Sequence, residues 1–231
     1  IISVITCTES TSSSTSSSLC WVFADGYLVG AVVCSDQNLN KQCDSGEPTT
    51  TTSTGGTYLL EGDDLDLYPL IVEVSATVID EDLVTASYNG AVGKAYVMSA
   101  PIPADATVDQ VITPITTLVQ NQIETNPTLD RDTATDVIRT QMGVADSVDL
   151  FEDFIAQDTP EYDFLHATAR IIANTMADSQ ELIETAAVDN GLTIDDVKAE
   201  IVNLVLADVM EQLSTITAEI YAAQEAAGDS F

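Results

Sequence analysis

Positive charge is what this chain lacks most. Six Lys and Arg stand against 38 Asp and Glu, for a formal net charge of −32. The six cations (Lys41, Lys94, Arg131, Arg139, Arg170 and Lys198) are spread along the sequence, so no basic patch forms. That argues against nucleic-acid binding and against electrostatic docking on anionic membranes. Aromatics are scarce at 6%, with Trp21 the one Trp, which leaves little for stacking on sugars. No apolar run reaches the length that crosses a bilayer, the best stretch being Ile201–Leu206, so no membrane span is expected. Catalytic signatures are missing as well. There is no Gly-x-Ser-x-Gly elbow and no Gly-rich phosphate loop. The one His, His166, lies in a helical pattern without Cys or His partners for zinc. Gly228-Asp229-Ser230 resembles an esterase nucleophile sequence but has no strand before it, and it reads as a tail. Among so many carboxylates, pairs spaced for glycoside hydrolysis arise by chance, and nothing singles one out. The chain is therefore not expected to be an enzyme.

What is present is enough for a core. The chain has 231 residues, 45% hydrophobic, with mean hydropathy +0.15. With so few cations, most carboxylates must face water, salt or bound divalent ions. The chain starts Ile1-Ile2-Ser3, as expected of a mature protein whose targeting peptide has been removed. Val4-Ile5-Thr6 ahead of Cys7 is not a lipoprotein processing site. Four Cys in an acidic, Ser/Thr-rich sequence predict two disulfides, an oxidising compartment and an extracellular or cell-surface location.

The period of the sequence changes near Ala100-Pro101-Ile102-Pro103. Before it, β-prone runs alternate with Gly, Asp, Asn and Thr clusters. They are Ile1–Thr6, Trp21–Phe23, Tyr27–Cys34, Thr57–Glu61, Leu70–Ala76, Val84–Tyr88 and Ala95–Ser99, with Thr49–Thr54 either polar loop or edge strand. After it, amphipathic helices are expected from Thr113-Pro114 to Asn126, over Asp130–Met142 with a stop at Gly143, and over Ser147–Ala156. A long helix from Pro160 ends before Asn190-Gly191, and a last one, capped by Thr193 with Asp196, runs to about Ala227. The predicted class is α+β with segregated halves. We expect an N-terminal strand and Ser-rich tether over 1–20, a β-sandwich over 21–104 and a helical bundle over 105–231.

The strongest chemical signal is the twelve-residue stretch Asp36–Glu47. Read as a calcium loop, it places side-chain oxygens of Asp36, Asn38, Asn40, Asp44 and Glu47 at positions 1, 3, 5, 9 and 12, and the backbone carbonyl of Gln42 at position 7. Alternate spacing turns successive side chains of a curved loop toward one point, and six to eight hard oxygens suit Ca²⁺. The departure is Lys41 at position 6, where an EF-hand has Gly. Asp63-Asp64-Leu65-Asp66 and Asp80-Glu81-Asp82 read as turns between strands that could hold further ions or simply be solvated.

From Phe23-Ala24-Asp25-Gly26 through Gly30-Ala31-Val32, the Asp36–Glu47 loop, Pro48 and Gly55-Gly56-Thr57-Tyr58, the sequence resembles the carboxypeptidase-regulatory-like, or SdrD B-like, surface modules of bacteria. The likeness covers about Trp21 to Ala76. It implies a prealbumin-like β-sandwich, non-enzymatic and calcium-binding, with Asp36, Asn38, Asn40, Asp44 and Glu47 as ligands. Four cysteines allow three pairings; we favour Cys34–Cys43, which brackets the front of the loop, and Cys7–Cys20 around the Ser-rich tether.

Three functions are weighed. One is a calcium-stabilised structural subunit of an extracellular filament or surface assembly. It would polymerise head-to-tail with itself by donating the apolar strand Ile1–Thr6 to a neighbour. The alternative is a cell-surface adhesin or ligand-binding module. The third, a hydrolase with an unrecognised carboxylate pair, has no motif behind it.

Overall fold

The computed structural model describes residues 17–23, 26–102 and 110–227, with side chains over 26–102 and 111–227. Strands occupy the chain up to Ile112 and helices the rest, so the fold is α+β with the two kinds of element segregated along the sequence. Among the described residues, ten strands form three sheets. In the first, β1 (Ser17–Phe23) lies between β5 (Tyr58–Gly62), antiparallel to it, and β10 (Gln110–Ile112), parallel to it. In the second, β7 (Ile79–Val84) pairs with β2 (Leu28–Val29) and, across an irregular register, with β8 (Asn89–Ala91). The third is antiparallel, in the order β4 (Thr49–Thr51), β3 (Val32–Ser35), β6 (Leu70–Val74), β9 (Tyr96–Ala100). The Thr run thus supplies an edge strand.

Several expected elements are placed differently. Tyr27–Cys34 is broken at Gly30, whose φ of 90° lies in the region that favours glycine, and β2 and β3 enter different sheets. Of Val84–Tyr88, Val84 ends β7 and the rest is the turn of the β7–β8 hairpin, where the Thr85 hydroxyl accepts from the Tyr88 N–H (3.1 Å). Strand β1 begins at Ser17, so Ser17 and Ser18 of the expected tether are strand, while Ile1–Thr6, Cys7 and Gly228–Ser230 lie outside the described residues.

The first two helices begin where the caps predict. Thr113 and Thr116 exchange side-chain bonds with each other's backbone N–H (3.0 and 2.9 Å) to open α1 (Pro114–Thr125). Asp130 accepts from Thr133 N–H (2.8 Å) to open α2 (Arg131–Met142), which stops at Gly143 in the left-handed conformation. The expected helix over Ser147–Ala156 does not form. Asp149 accepts from the Phe151 N–H, and Asp153 from those of Ile155 and Ala156, so local side-chain bonds replace helical ones. Val148, Leu150 and Phe154 of that segment are buried, while Arg139 donates to the Val148 carbonyl and Arg131 lies 3.9 Å over the Phe151 ring. Helices α3 (Pro160–Asp189) and α4 (Lys198–Ala227) are 30 residues each, about 45 Å long. They run antiparallel: Phe164 stacks on Tyr221, Ser179 donates to Asp208, and Lys198 pairs with Glu184. Thr193 and Asp196 make no side-chain cap. Instead Asp195–Val197 winds as a 3-10 turn, with Asp196 N–H on the Thr193 carbonyl.

The core runs without interruption from Leu28 in β2 to Ile220 in α4. Its middle is the contact of α1 on β9, where Ser99 donates its N–H to the Thr117 hydroxyl and accepts from the Thr116 and Thr117 hydroxyls. Together with its first turn, α4 is long and apolar enough to cross a membrane by length and composition. Ile201, Val205, Val209 and Leu213 of that helix are buried in the core.

Candidate metal centre

The Asp36–Glu47 loop leaves the end of β3 and returns at Pro48 into β4. Its shape follows from a run of side-chain bonds to its own backbone. Asp36, fully buried, accepts from the N–H groups of Asn40 and Lys41 (3.0 and 3.1 Å). Asn38 accepts from Asn40 N–H, and Asn40 from Gln42 N–H, each two residues on. Glu47 closes the circle, one oxygen on Gln37 N–H (2.8 Å) and the other on Asp44 N–H (3.0 Å). Asp44 Oδ2 accepts the side-chain amides of both Asn38 (2.8 Å) and Asn40 (2.7 Å). Asp36, Asn38, Asn40, Asp44 and Glu47 are thus drawn into one hydrogen-bonded set. The remaining expected ligand, the Gln42 carbonyl, lies 3.9 Å from Cys34 Sγ, against the disulfide.

Position 6 explains itself. Lys41 has φ 62° and Leu39 φ 60°, so the sharp turn for which an EF-hand uses Gly is made here by two L residues. The Lys41 side chain is 4% exposed and its ammonium pairs with Glu124 at the end of α1. Gln120 of α1 donates to the same Glu124 oxygen (2.6 Å). Sequence reasoning missed this pair because nothing in the sequence joins two residues 83 positions apart.

Cys34 and Cys43 are joined by a disulfide, as favoured from their positions, with Cα atoms 5.6 Å apart. Cys43 N–H also donates to Glu73 of β6 (3.2 Å), and the Gln42 side chain to the Asp195 carbonyl ahead of α4 (2.9 Å). The loop is thereby tied to its own sheet and to two helices.

Electrostatics divide the carboxylates. Burial pushes the Asp36 carboxyl up, against the lowering effect of its two N–H bonds and of Lys41. The Asn38 and Asn40 amides hold the half-buried Asp44 carboxyl below the ordinary range. All-oxygen donors, three of them carboxylates, suit a hard cation such as Ca²⁺. Yet the two amides now present N–H groups to Asp44, so an ion beside Asp44 requires them to turn. Among the described residues no three His, Cys, Asp or Glu side chains are gathered as a ready metal group.

The other acidic runs differ from each other. Asp63, Asp64 and Asp66 lie in the exposed turn between β5 and β6. Asp80–Asp82 is not a turn but lies inside the irregular strand β7. Asp80 is buried, takes the Asp82 N–H (2.9 Å), and its carboxyl is pushed up by that burial. Asp82 sits 3.2 Å from His166 Nε2 on α3. Tyr27 donates to Asp153 (3.1 Å), and burial first, with Asp153 adding to it, raises the phenol. This group joins the second sheet to α3, and the lone His is a partner in that joint.

No family of known proteins, no curated protein and no solved structure matches the chain.

Proposed function

We propose that this chain is a non-enzymatic, secreted structural protein whose β half is stabilised by Ca²⁺ and which assembles head-to-tail into an extracellular filament or surface array. The observation that carries the reading is the closed Asp36–Glu47 loop, in which the five side chains expected as ligands already share hydrogen bonds and the Cys34–Cys43 disulfide anchors the turn. A loop pre-shaped in this way loses little conformational entropy when an ion enters. The disulfide favours an oxidising, extracellular setting. In this reading the β half is a prealbumin-like sandwich of the SdrD B-like kind, and residues 1–6 are the strand given to a neighbour.

A cleft of about 440 Å³ between Gly93–Ala95 and the end of α3, lined by Lys94, Glu181, Glu184 and Val188, favours the second reading, a surface module that holds a ligand. One experiment separates them. Electron microscopy of the full chain in millimolar calcium should show filaments, and a variant lacking residues 1–6 should stay a folded monomer. Filaments from the truncated chain, or a monomeric full chain in calcium and salt, defeat donor-strand assembly and leave the ligand-holding module.

A further inference from the structure

The Asp36–Glu47 loop touches the helical half at two points where a turn of its own sheet would suffice to hold it. Lys41 reaches α1 and pairs with Glu124, and Gln42 reaches the Asp195 carbonyl at the start of the last helix. The Lys41 contact is costly to arrange. It takes a left-handed backbone at a residue with a Cβ and buries a long cationic side chain to 4% exposure. Glycine at that position would make the turn without strain but could not reach α1. The same residue therefore sets the curvature of the loop and fixes the end of a helix.

We infer that Glu124 and the Asp195 carbonyl are positioning groups for the ion site, so that ion binding in the loop and docking of the helices are one coupled event. The inference rests on the calcium reading of the loop. An ion among Asp36, Asn40 and Asp44 fixes the backbone on both sides of Lys41, and so fixes the ammonium against Glu124. Conversely, Glu124 holds Lys41 in the left-handed turn that sends the residues before and after it to one side. It also neutralises a buried ammonium that would otherwise repel a divalent cation. Coupling of this kind is reciprocal. The factor by which the helix contact strengthens ion binding equals the factor by which the ion strengthens the helix contact.

The test uses the full chain with Ca²⁺ as the probe, read by calorimetric titration and by amide hydrogen exchange. At a hundredfold excess of free calcium over its dissociation constant, exchange through openings that release the ion slows by about a hundredfold in the loop. The coupling predicts slowing of about tenfold or more in residues 120–126 and 193–198 too. Glu124→Gln should weaken calcium binding by about tenfold and abolish the calcium response of 120–126. Lys41→Met, which keeps the buried stem, should abolish the same response. Gln42→Leu should remove only the response of 193–198. Should Lys41→Met fail to fold, Glu124→Gln alone decides the point. Loop protection without any response in the helices, or unchanged affinity in Glu124→Gln, overturns the coupling while the calcium reading stands. If the wild-type chain binds no calcium by titration, the reading of the loop fails, and transmission through it fails as well.

Discussion

Single residues in this chain act through what they exclude as much as through what they bind. Gly26, at φ 137°, backs directly onto a buried carboxylate: a Cβ there would fall 1.9 Å from Asp80 Oδ1. Gly26→Ala should therefore cost about 2–4 kcal/mol, the sum of overpacking and backbone strain, read as a lower midpoint in denaturant. A normal midpoint would mean that Asp80 can swing away. Asp36 gives a sharper test because its sign depends on the ion. Without calcium, burial raises its folded pKa above the unfolded value. The folded state then binds the extra proton, and stability falls as pH rises from the ordinary carboxylate value through the folded one. With calcium bound the ionised form is required, which brings the folded value below the unfolded one, so stability then rises with pH just below the ordinary carboxylate value and is level above it. Melting against pH should therefore fall above that value in chelator and rise below it in calcium, and Asp36→Asn should remove both slopes. The spacing of the oxygen-bearing residues in this loop was legible because alternate oxygens in twelve residues are a local pattern. Lys41 was read as a departure because its remedy, Glu124, lies in another element.

At the scale of elements, what could be read ahead was whatever a chain segment decides alone. The Thr113-Pro114 and Asp130 starts rest on side chains three residues from the backbone groups they satisfy, and the Gly143 stop on glycine's own left-handed backbone. Ser147–Ala156 failed for the same physical reason, since Asp149 and Asp153 offer the backbone a nearer partner than a helix would. The entry of β2 and β3 into different sheets and the parallel pairing of β1 with β10 depend on distant chain and left no local mark. The joint between α1 and β9 shows how much such contacts matter. The Thr117 hydroxyl receives the Ser99 N–H (2.9 Å) and bonds the Ser99 and Thr113 carbonyls, all of it buried. Thr117→Val preserves shape but orphans a buried N–H, at a cost of about 1–3 kcal/mol. Thermal unfolding should register that loss, whereas Thr125→Val, at the exposed end of the same helix, should lose less because Thr125 bonds carbonyls of its own helix and the neighbouring Asn126 amide, all within reach of water. Equal losses at the two sites would mean that the β9 contact adds nothing.

Over the whole molecule, charge scarcity explains where the cations sit. Lys41 ties the loop to α1, Lys94 the β8–β9 turn to α3, and Lys198 holds α4 to α3. Arg131 and Arg139 hold the segment after α2, and Arg170 of α3 lies near Asp80 of β7. Every cation thus works at a joint between segments, and the remaining carboxylates repel one another. Two remedies act on that repulsion, and they can be told apart. Monovalent salt shortens the Debye length from about 10 Å at 0.1 M to about 3 Å at 1 M, so it relieves the net charge of −32 without regard to position. Calcium at millimolar concentration barely changes ionic strength, and acts chiefly by occupying oxygens. The melting temperature should therefore rise steadily with sodium chloride in both wild type and Asp36→Asn. At matched ionic strength, calcium should add a further rise worth about 2.7 kcal/mol at a hundredfold excess over its dissociation constant, and Asp36→Asn should lose that increment alone. If sodium chloride and calcium prove interchangeable at equal ionic strength, the acidic surface is a general solvation layer and the loop is a rigid Asx-rich turn with no ion of its own. If the increment appears and vanishes with Asp36, one site among 38 carboxylates accounts for it.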